Sequence, residues 1–484
     1  MNNKNSKLEL RAFFILLLSI SPYLLNLNSF WLMDDVAPID RGTQVSWERL
    51  FHDPYGESEK FFRPLSIALS MIDGKIWGVS ALGYRITNYL LFFLCGLLVY
   101  QLVKIFSSHT IALFSAFIFL IHPIQVGTVV WLSGRVDILS AFFLLAAEAV
   151  FLRDNKRTLL ADSVGYLLFV LALLTKESAL MFPIVLFAGF RARGNSSKDS
   201  LLKTIPSLII FVVYVALRVA FNYLPGTDYY DPKKFFFAPV LIIRNFMTLA
   251  LNIIYIVIPL WNPFDVLKKD YPYADSLFKL LFNQETAPVI FFIVTGMLFI
   301  AMLLWKGTSQ PPDRKPLVFA LVWFLAFIAP TFHVMGNMGG LRYFFTSCTT
   351  VFWAIVLMGV QLQTKMPKKV FDSIIVSFLT LCIIMNIREQ LAWKNAFDTA
   401  ENITSKAIEH ARDIPFGSTL LIYDLPEYSP SGRLVYPEWD EYSLPMSVKL
   451  ISGLSVLATH SKSPSCAEKN IVCVSASSLI SGKR

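Results

Sequence analysis

The strongest constraint on this chain is a recurrence. From residue 10 to residue 387, apolar runs follow one another, each of roughly the 20 residues that a helix needs to cross hydrocarbon. Runs that are continuously apolar rather than alternating satisfy their backbone groups in lipid only as helices. Composition agrees: of 484 residues 55% are hydrophobic and 16% charged, with mean hydropathy +0.56. These features predict an all-α polytopic membrane protein. The first run, "FFILLLSISPYLLNL", follows Lys4, Lys7 and Arg11 as a signal peptide would, but without a small-residue cleavage site it reads as a retained anchor.

Spanning helices are predicted near residues 10–28, 81–105, 109–125, 136–152, 159–175, 177–191, 203–222, 286–305, 316–332, 346–362 and 369–387. Basic segments set the orientation. "KIFSSH", "RDNKR", "RARGNSSKDSLLK", "WKGTSQPPDRKP" and "QTKMPKKV" share the side of the N-terminus when that side is cytoplasmic. The apolar segment 239–260 breaks this alternation if it spans, so it reads as re-entrant or interfacial. The result is about 11 spans, N-terminus cytoplasmic and C-terminus extracytoplasmic, as in a cell inner membrane, or an endoplasmic reticulum membrane in a eukaryote. Residues 1–387 form the membrane module. Residues 388–484 lose the apolar runs, and strand-like pieces such as "STLLIYDL" and "NIVCVSAS" predict a small extracytoplasmic α/β domain.

The net charge of +9 does not point to nucleic acid, because surplus Lys and Arg gather in the cytoplasmic loops and no compact basic domain carries them. Cys95, Cys348 and Cys382 lie in apolar runs and read as core, whereas Cys466 and Cys473 can close a short disulfide if the C-terminal region is extracytoplasmic. No dinucleotide-binding or P-loop motif occurs. "NSS" at Asn195 and "NIT" at Asn402 match only the short glycosylation pattern.

Chemistry is expected on the outer face. The loop 29–80 is too long for a minimal connection, and its aromatic and apolar content suits amphipathic helices on the membrane surface. It opens on Asp34 and Asp35 and contains Arg63. Farther on, Arg135 with Asp137, Lys176 with Glu177, and Arg342 stand beside apolar runs on the same predicted side. Charges at membrane boundaries are costly and point to function or to ion pairs. Several cations near a carboxylate pair suit an anionic lipid headgroup beside a proton acceptor.

Structural readings stand beside these. Two acids after a helix also serve as a solvated end or as the next helix's N-cap. Arg135 with Asp137, and Lys176 with Glu177, also read as structural pairs, and His122 in "IHPIQ" as a packed histidine, since no histidine shows metal-ligand spacing. Glu148, Asp162, Arg218 and Arg244 lie within apolar stretches and are expected in ion pairs.

The ordered series "FWLMDD", "FRPLS", "GYRITNYLLF", "IFLIHPIQVGTVVWLSGRVDILSAFF", "LALLTKESALMFPI" and "LRYFFTS" resembles the GT-C superfamily of polyprenyl-phosphate-sugar glycosyltransferases, over roughly residues 10–360. It is most similar to the membrane part of the transmembrane, tetratricopeptide-repeat O-mannosyltransferases and their bacterial relatives, without the repeats. The resemblance implies a catalytic module of about seven helices with its site at the outer face. It implies that Asp34 or Asp35 is the base taking the proton of an acceptor hydroxyl, Asp34 being slightly favoured. Arg63, His122, Arg135, Asp137, Lys176, Glu177 and Arg342 are then candidates for contact with the lipid phosphate or sugar. The donor is a polyprenyl-phosphate-linked sugar, and the acceptor a glycan, lipid or protein hydroxyl. No cofactor is required by this mechanism and no metal set is evident, although some superfamily members use a divalent metal. Two other functions fit a membrane protein with boundary charges. One is a transporter or flippase of a lipid-linked glycan, which the absence of two related halves disfavours. The other is a scaffold subunit of an envelope complex.

Overall fold

The computed structural model describes residues 3–50, 62–153, 158–220, 239–259, 314–330, 344–363, 365–415, 418–426, 429, 435–436, 443–461 and 471–481. The first apolar run forms α1 (Asn3–Ser19) and a 3-10 segment (Ser21–Asn26) that opens on Pro22, a residue suited to a helix start because it has no N–H to leave unpaired. The chain then makes a 3-10 turn, Met33–Asp35, and runs into α2 (Val36–Gln44). α3 (Pro64–Trp77) packs across α2, so the long first loop is helical on both sides of residues 51–61, which lie outside the described residues. The crossing is close enough that a Cβ on Gly74 would overlap the Gly42 carbonyl, which is why two glycines meet there.

The bundle follows: α4 (Ala81–Phe106), α5 (His109–Ile121), α6 (Val126–Val130), α7 (Arg135–Arg153), α8 (Leu159–Leu173), α9 (Phe182–Ala192) and α10 (Ser197–Ala220). Ser108 and Thr158 cap α5 and α8 by accepting the N–H of Ile111 and Ala161. α11 (Pro239–Val257), α12 (Arg314–Ile328), α13 (Phe344–Gln363) and α14 (Lys368–Asp413) complete the described helices up to residue 413. Phe92, Phe119, Phe169, Phe182, Phe345, Phe352 and Trp353 are buried in one core joining α4, α5, α8, α9 and α13. Leu167, Ile209, Val212 and Leu217 stay exposed, as a surface solvated by lipid allows.

Among the described residues, five helices are long and apolar enough to cross a membrane: Lys7–Asn26, Ala81–Phe106, Ser197–Ala220, Phe344–Gln363 and Lys368–Asp413. The predicted span 109–125 breaks at His122 and Pro123, where α5 and the segment Pro123–Val130 are bent by 49°; the pair makes a sixth crossing if it is one span. The segment 239–260 is helical over Pro239–Val257 and buries Leu251, Ile254, Tyr255 and Ile256. The predicted span 286–305 lies outside the described residues.

α14 is 46 residues long, about 69 Å at 1.5 Å per residue, so it carries the chain well past residue 387, where a domain boundary was expected. Beyond it, β1 (Thr419–Tyr423), β2 (Val456–Ala458) and β3 (Ile471–Ser475) form a parallel sheet in the order β2-β1-β3, with α15 (Ser443–Ser452) between β1 and β2 and α16 (Ala476–Ser481) after β3. Leu420 and Ile422 of β1 join Ile403 and Ala407 of α14, Val448 of α15 and Leu479 of α16 in one apolar cluster. Cys473 is disulfide-bonded, and Cys466 lies outside the described residues. Met446 and Leu450 of α15 pack on Trp31, Val36, Ile39, Tyr84 and Leu132, and Trp31 Nε1 donates to Ser447 Oγ at 2.7 Å. The C-terminal segment therefore sits directly against the exit of the first membrane helix.

Candidate active site

The two acids at that exit have different surroundings. Asp35 is fully buried, and its carboxylate accepts two backbone N–H groups, Leu32 N at 3.2 Å and Ser133 N at 3.1 Å. Asp34 is only half-buried, and its backbone carbonyl accepts Ser133 Oγ at 2.8 Å. Burial pushes the Asp35 carboxyl well above the usual carboxylate range; Arg85 and the two N–H groups favour its ionised form, and Asp34 opposes it. Met33, immediately before the pair, holds φ +51° and is buried. Left-handed backbone is uncommon for a residue other than glycine, and such strain clusters where structure fixes a functional geometry.

Ser133 belongs to the tight turn Leu132–Gly134 that starts α7. A Cβ on Gly134 would overlap the Thr128 carbonyl, so glycine is what lets the turn close and present Ser133 to the acids. Arg135, two residues on, is 1% exposed and donates to Asp73 Oδ2 at 2.7 Å, Ser70 Oγ at 3.1 Å, Tyr84 O at 3.2 Å and Asn88 Oδ1 at 3.3 Å, with its guanidinium over the Tyr84 ring. Its partner is thus Asp73 of α3 rather than Asp137, and it joins α3, α4 and α7.

Asp137, in the first turn of α7, accepts from Lys176 Nζ. Glu177 turns the other way. It receives Arg63 Nε at 3.1 Å and Arg63 Nη2 at 2.8 Å on one oxygen, Oε2, and Arg218 Nη1 at 3.4 Å on Oε1. Leu65 N donates to Leu174 O at 3.1 Å, which fixes the start of α3 beside the 174–177 link. Two ion groups, Lys176 with Asp137 and Glu177 with Arg63 and Arg218, are therefore joined through the adjacent residues 176 and 177 and carry a formal charge of +1 between them. Side-chain exposures of 17% for Arg63 and 21% for Glu177 leave this cluster partly open. Asp35 is held by the N–H of Ser133, which lies four residues before Asp137 along the chain, in the turn that leads into α7. The acids and the cationic cluster lie at the same end of α7.

His122 stands apart from this arrangement. It is fully buried, its Nδ1 accepts Ile124 N at 3.2 Å, its Nε2 lies 3.1 Å from Ile256 O, and its ring packs on Tyr255 and Phe352. Arg342 lies outside the described residues. Among the described residues, no three His, Cys, Asp or Glu side chains gather as a metal-ligand set. Three groups here lie outside the expected site residues. Arg85 and Asp73 received no role, although an arginine one turn into an apolar helix is itself a signal. Arg218, expected only in an ion pair, forms one with Glu177 from a buried position in α10.

No protein-family model matches the chain. It is 28% identical over 223 residues to protein O-mannosyl-transferase F38B6.6 of Caenorhabditis elegans, covering 43% of this chain and 30% of that protein. It is 22% identical over 313 residues to human protein O-mannosyl-transferase TMTC3, covering 58% of this chain and 32% of that protein. The aligned stretch is thus about a third of the length of these relatives. Among solved structures, ArnT from Cupriavidus metallidurans bound to undecaprenyl phosphate superposes with a TM-score of 0.49 at 13% identity, covering 92% of this chain and 85% of that one. The archaeal oligosaccharyltransferase AglB from Archaeoglobus fulgidus gives 0.48 at 14% identity, covering 93% and 64%. In sequence, the chain resembles the GT-C membrane module of the protein O-mannosyl-transferases.

Proposed function

We propose that the protein is an integral-membrane glycosyltransferase that moves a sugar from a polyprenyl-phosphate carrier to an extracytoplasmic hydroxyl of a glycan, lipid or protein. The observation that carries this reading is the placement of a half-buried Asp34, fixed by its buried neighbour Asp35 and the Ser133 turn, at the same end of α7 as a cluster of net positive charge. Sequence similarity to the named O-mannosyl-transferases supports it.

In this account Asp34 is the base. Its carboxylate takes the acceptor hydroxyl proton, the acceptor oxygen bonds to the anomeric carbon, and the bond from that carbon to the phosphate oxygen breaks with inversion. The polyprenyl phosphate leaves carrying the electron pair. Asp35 anchors the turn. Arg63, Lys176 and Arg218 stabilise the charge that develops on the leaving phosphate, with Glu177 and Asp137 holding them in place. Arg342 is assigned to the same face from its motif alone. Arg135 and His122 act as packing and positioning groups within the bundle.

The same reading places the protein as a multi-pass inner-membrane protein of about 11 spans, with a cytoplasmic N-terminus, a module over residues 1–387 and an extracytoplasmic segment 388–484. The disulfide at Cys473 supports the outer placement of that segment, since disulfides persist in oxidising compartments. The test is transfer of labelled sugar from a polyprenyl-phosphate donor in membranes, with the anomeric configuration of the product read by NMR. An inverted product, lost in Asp34→Asn, supports the proposal; a retained configuration or undiminished product in that variant overturns it.

A further inference from the structure

Arg85 lies one turn into α4 and is fully buried. Its guanidinium donates Nη1 to the Ser29 carbonyl and Nη2 to the Phe30 carbonyl, the two peptide units at the exit of the first membrane helix. Its flat face lies 4.6 Å from the centre of the Phe397 ring, which belongs to α14. One side chain thus joins α4, the strand of chain entering the acidic turn, and the long helix that carries the C-terminal segment. A second clamp acts on the same short stretch: Asn26 Nδ2 donates to Gln390 O at 2.9 Å and to Gln390 Oε1 at 2.6 Å, again on α14.

A buried arginine that serves only to hold two carbonyls is an expensive choice, because its charge needs compensation that neutral donors would not require. Here the compensation is at hand, since Asp35 is a charge neighbour of Arg85. Both residues are fully buried, so neither meets a substrate from the surface.

We infer that Arg85 is the positioning residue of the Asp34–Asp35 pair, fixing the 29–30 backbone against α14 and supplying the buried positive charge beside Asp35. This rests on the reading of that pair as the catalytic acids. The charged groups acting on Asp35 are Arg85 from α4, Arg135 from α7 and Asp34 on its own turn; Lys449 of α15 acts instead on Asp40, and the turn before α7 offers only the neutral Ser133. Removing Arg85 therefore removes positive charge from the pair. Its carboxyls hold protons to higher pH, and the acid limb of the pH–rate profile moves upward.

The experiment compares the full-length protein with Arg85→Lys, Arg85→Met and Phe397→Leu in proteoliposomes, measuring kcat, donor KM, the pH–rate profile and thermal unfolding. Arg85→Met is expected to lower kcat by about tenfold or more, to leave donor KM within about threefold, and to move the acid limb up by about one pH unit. Arg85→Lys keeps the charge but not the two-carbonyl fork, and is expected to lower kcat with the limb nearly in place. Phe397→Leu removes only the stacking surface, and is expected to reduce stability without moving the limb. If Arg85→Met fails to fold, the Lys variant decides: a wild-type kcat there overturns the positioning role. An unmoved limb in a folded Arg85→Met also overturns it. If wild type transfers sugar and Asp34→Asn does not, these outcomes reject Arg85 alone; if wild type shows no transfer, or Asp34→Asn is fully active, the catalytic reading falls and this inference with it.

Discussion

The backbone N–H of Ser133 donates to Asp35 Oδ1 at 3.1 Å, joining the first membrane helix's exit to the start of α7 across 98 residues of chain. The relationship depends on Gly134, whose turn has no room for a side chain. Gly134→Ala is expected to shift the turn and lower both the unfolding temperature and kcat. Ser133→Ala keeps the N–H and loses only the hydroxyl bond to Asp34 O, so it is expected to cost about 1 kcal/mol. Thermal unfolding in detergent and transfer assays on both variants check the contrast.

Arg135 and Asp73 make a buried pair with three further hydrogen bonds to the same guanidinium. Arg135→Met leaves Asp73 buried without its cation and is expected to destabilise the bundle by about 3–5 kcal/mol. The double variant Arg135→Met, Asp73→Leu is expected to recover part of that loss. Unfolding of both single variants and the double variant decides; a double-variant loss equal to the sum of the two single losses would show that the pair is not coupled.

Arg63 and Arg218 converge on Glu177 from two helical elements, and their charge is assigned to the donor phosphate. Replacing either with Met is expected to raise donor KM or lower kcat/KM by about tenfold or more, the scale of a charge-assisted hydrogen bond. The effect is expected to shrink for a donor analogue that lacks the phosphate charge. Steady-state kinetics with both donors measure it.

The acids also set a pH dependence. A base must be ionised to accept a proton, so transfer is expected to fall as pH drops far enough to protonate Asp34, while burial keeps the neighbouring Asp35 carboxyl protonated to well above the usual carboxylate range. Asp35→Asn removes a neighbouring negative charge and is expected to move the acid limb to lower pH. Stability runs the other way. A carboxyl raised in the fold contributes stability that is full below its unfolded value and is lost as pH rises through the folded one. Unfolding temperature as a function of pH is therefore expected to flatten in Asp35→Asn.

Much of this was legible in the sequence, because hydrocarbon length and continuous apolarity specify helices strongly. The predicted 81–105 and 346–362 match Ala81–Phe106 and Phe344–Gln363 within a residue or two. Hydropathy failed where a helix leaves the membrane. From residue 388 to Asp413 the pattern is amphipathic, with no Gly or Pro to stop it, so α14 continues where an apolar run ends. Charge pairing was misread for a geometric reason. Arg135 with Asp137, and Lys176 with Glu177, are neighbours in sequence, yet side chains one or two residues apart point in different directions. Each found its partner elsewhere: Asp73, Lys176 with Asp137, and Arg63 with Arg218 on Glu177. The sequence favours Asp34 over Asp35 only slightly, because what separates them includes a hydrogen bond to Asp35 from Ser133 N, 98 residues along the chain, which no local pattern reveals.

The most direct test of the central claim is single-turnover transfer of sugar from a saturating polyprenyl-phosphate donor by wild type and Asp34→Asn, each first shown to be folded. The account predicts a loss of about 10²- to 10⁴-fold in rate, the range for a general base, with donor affinity retained. A folded Asp34→Asn protein that transfers at the wild-type rate would contradict it.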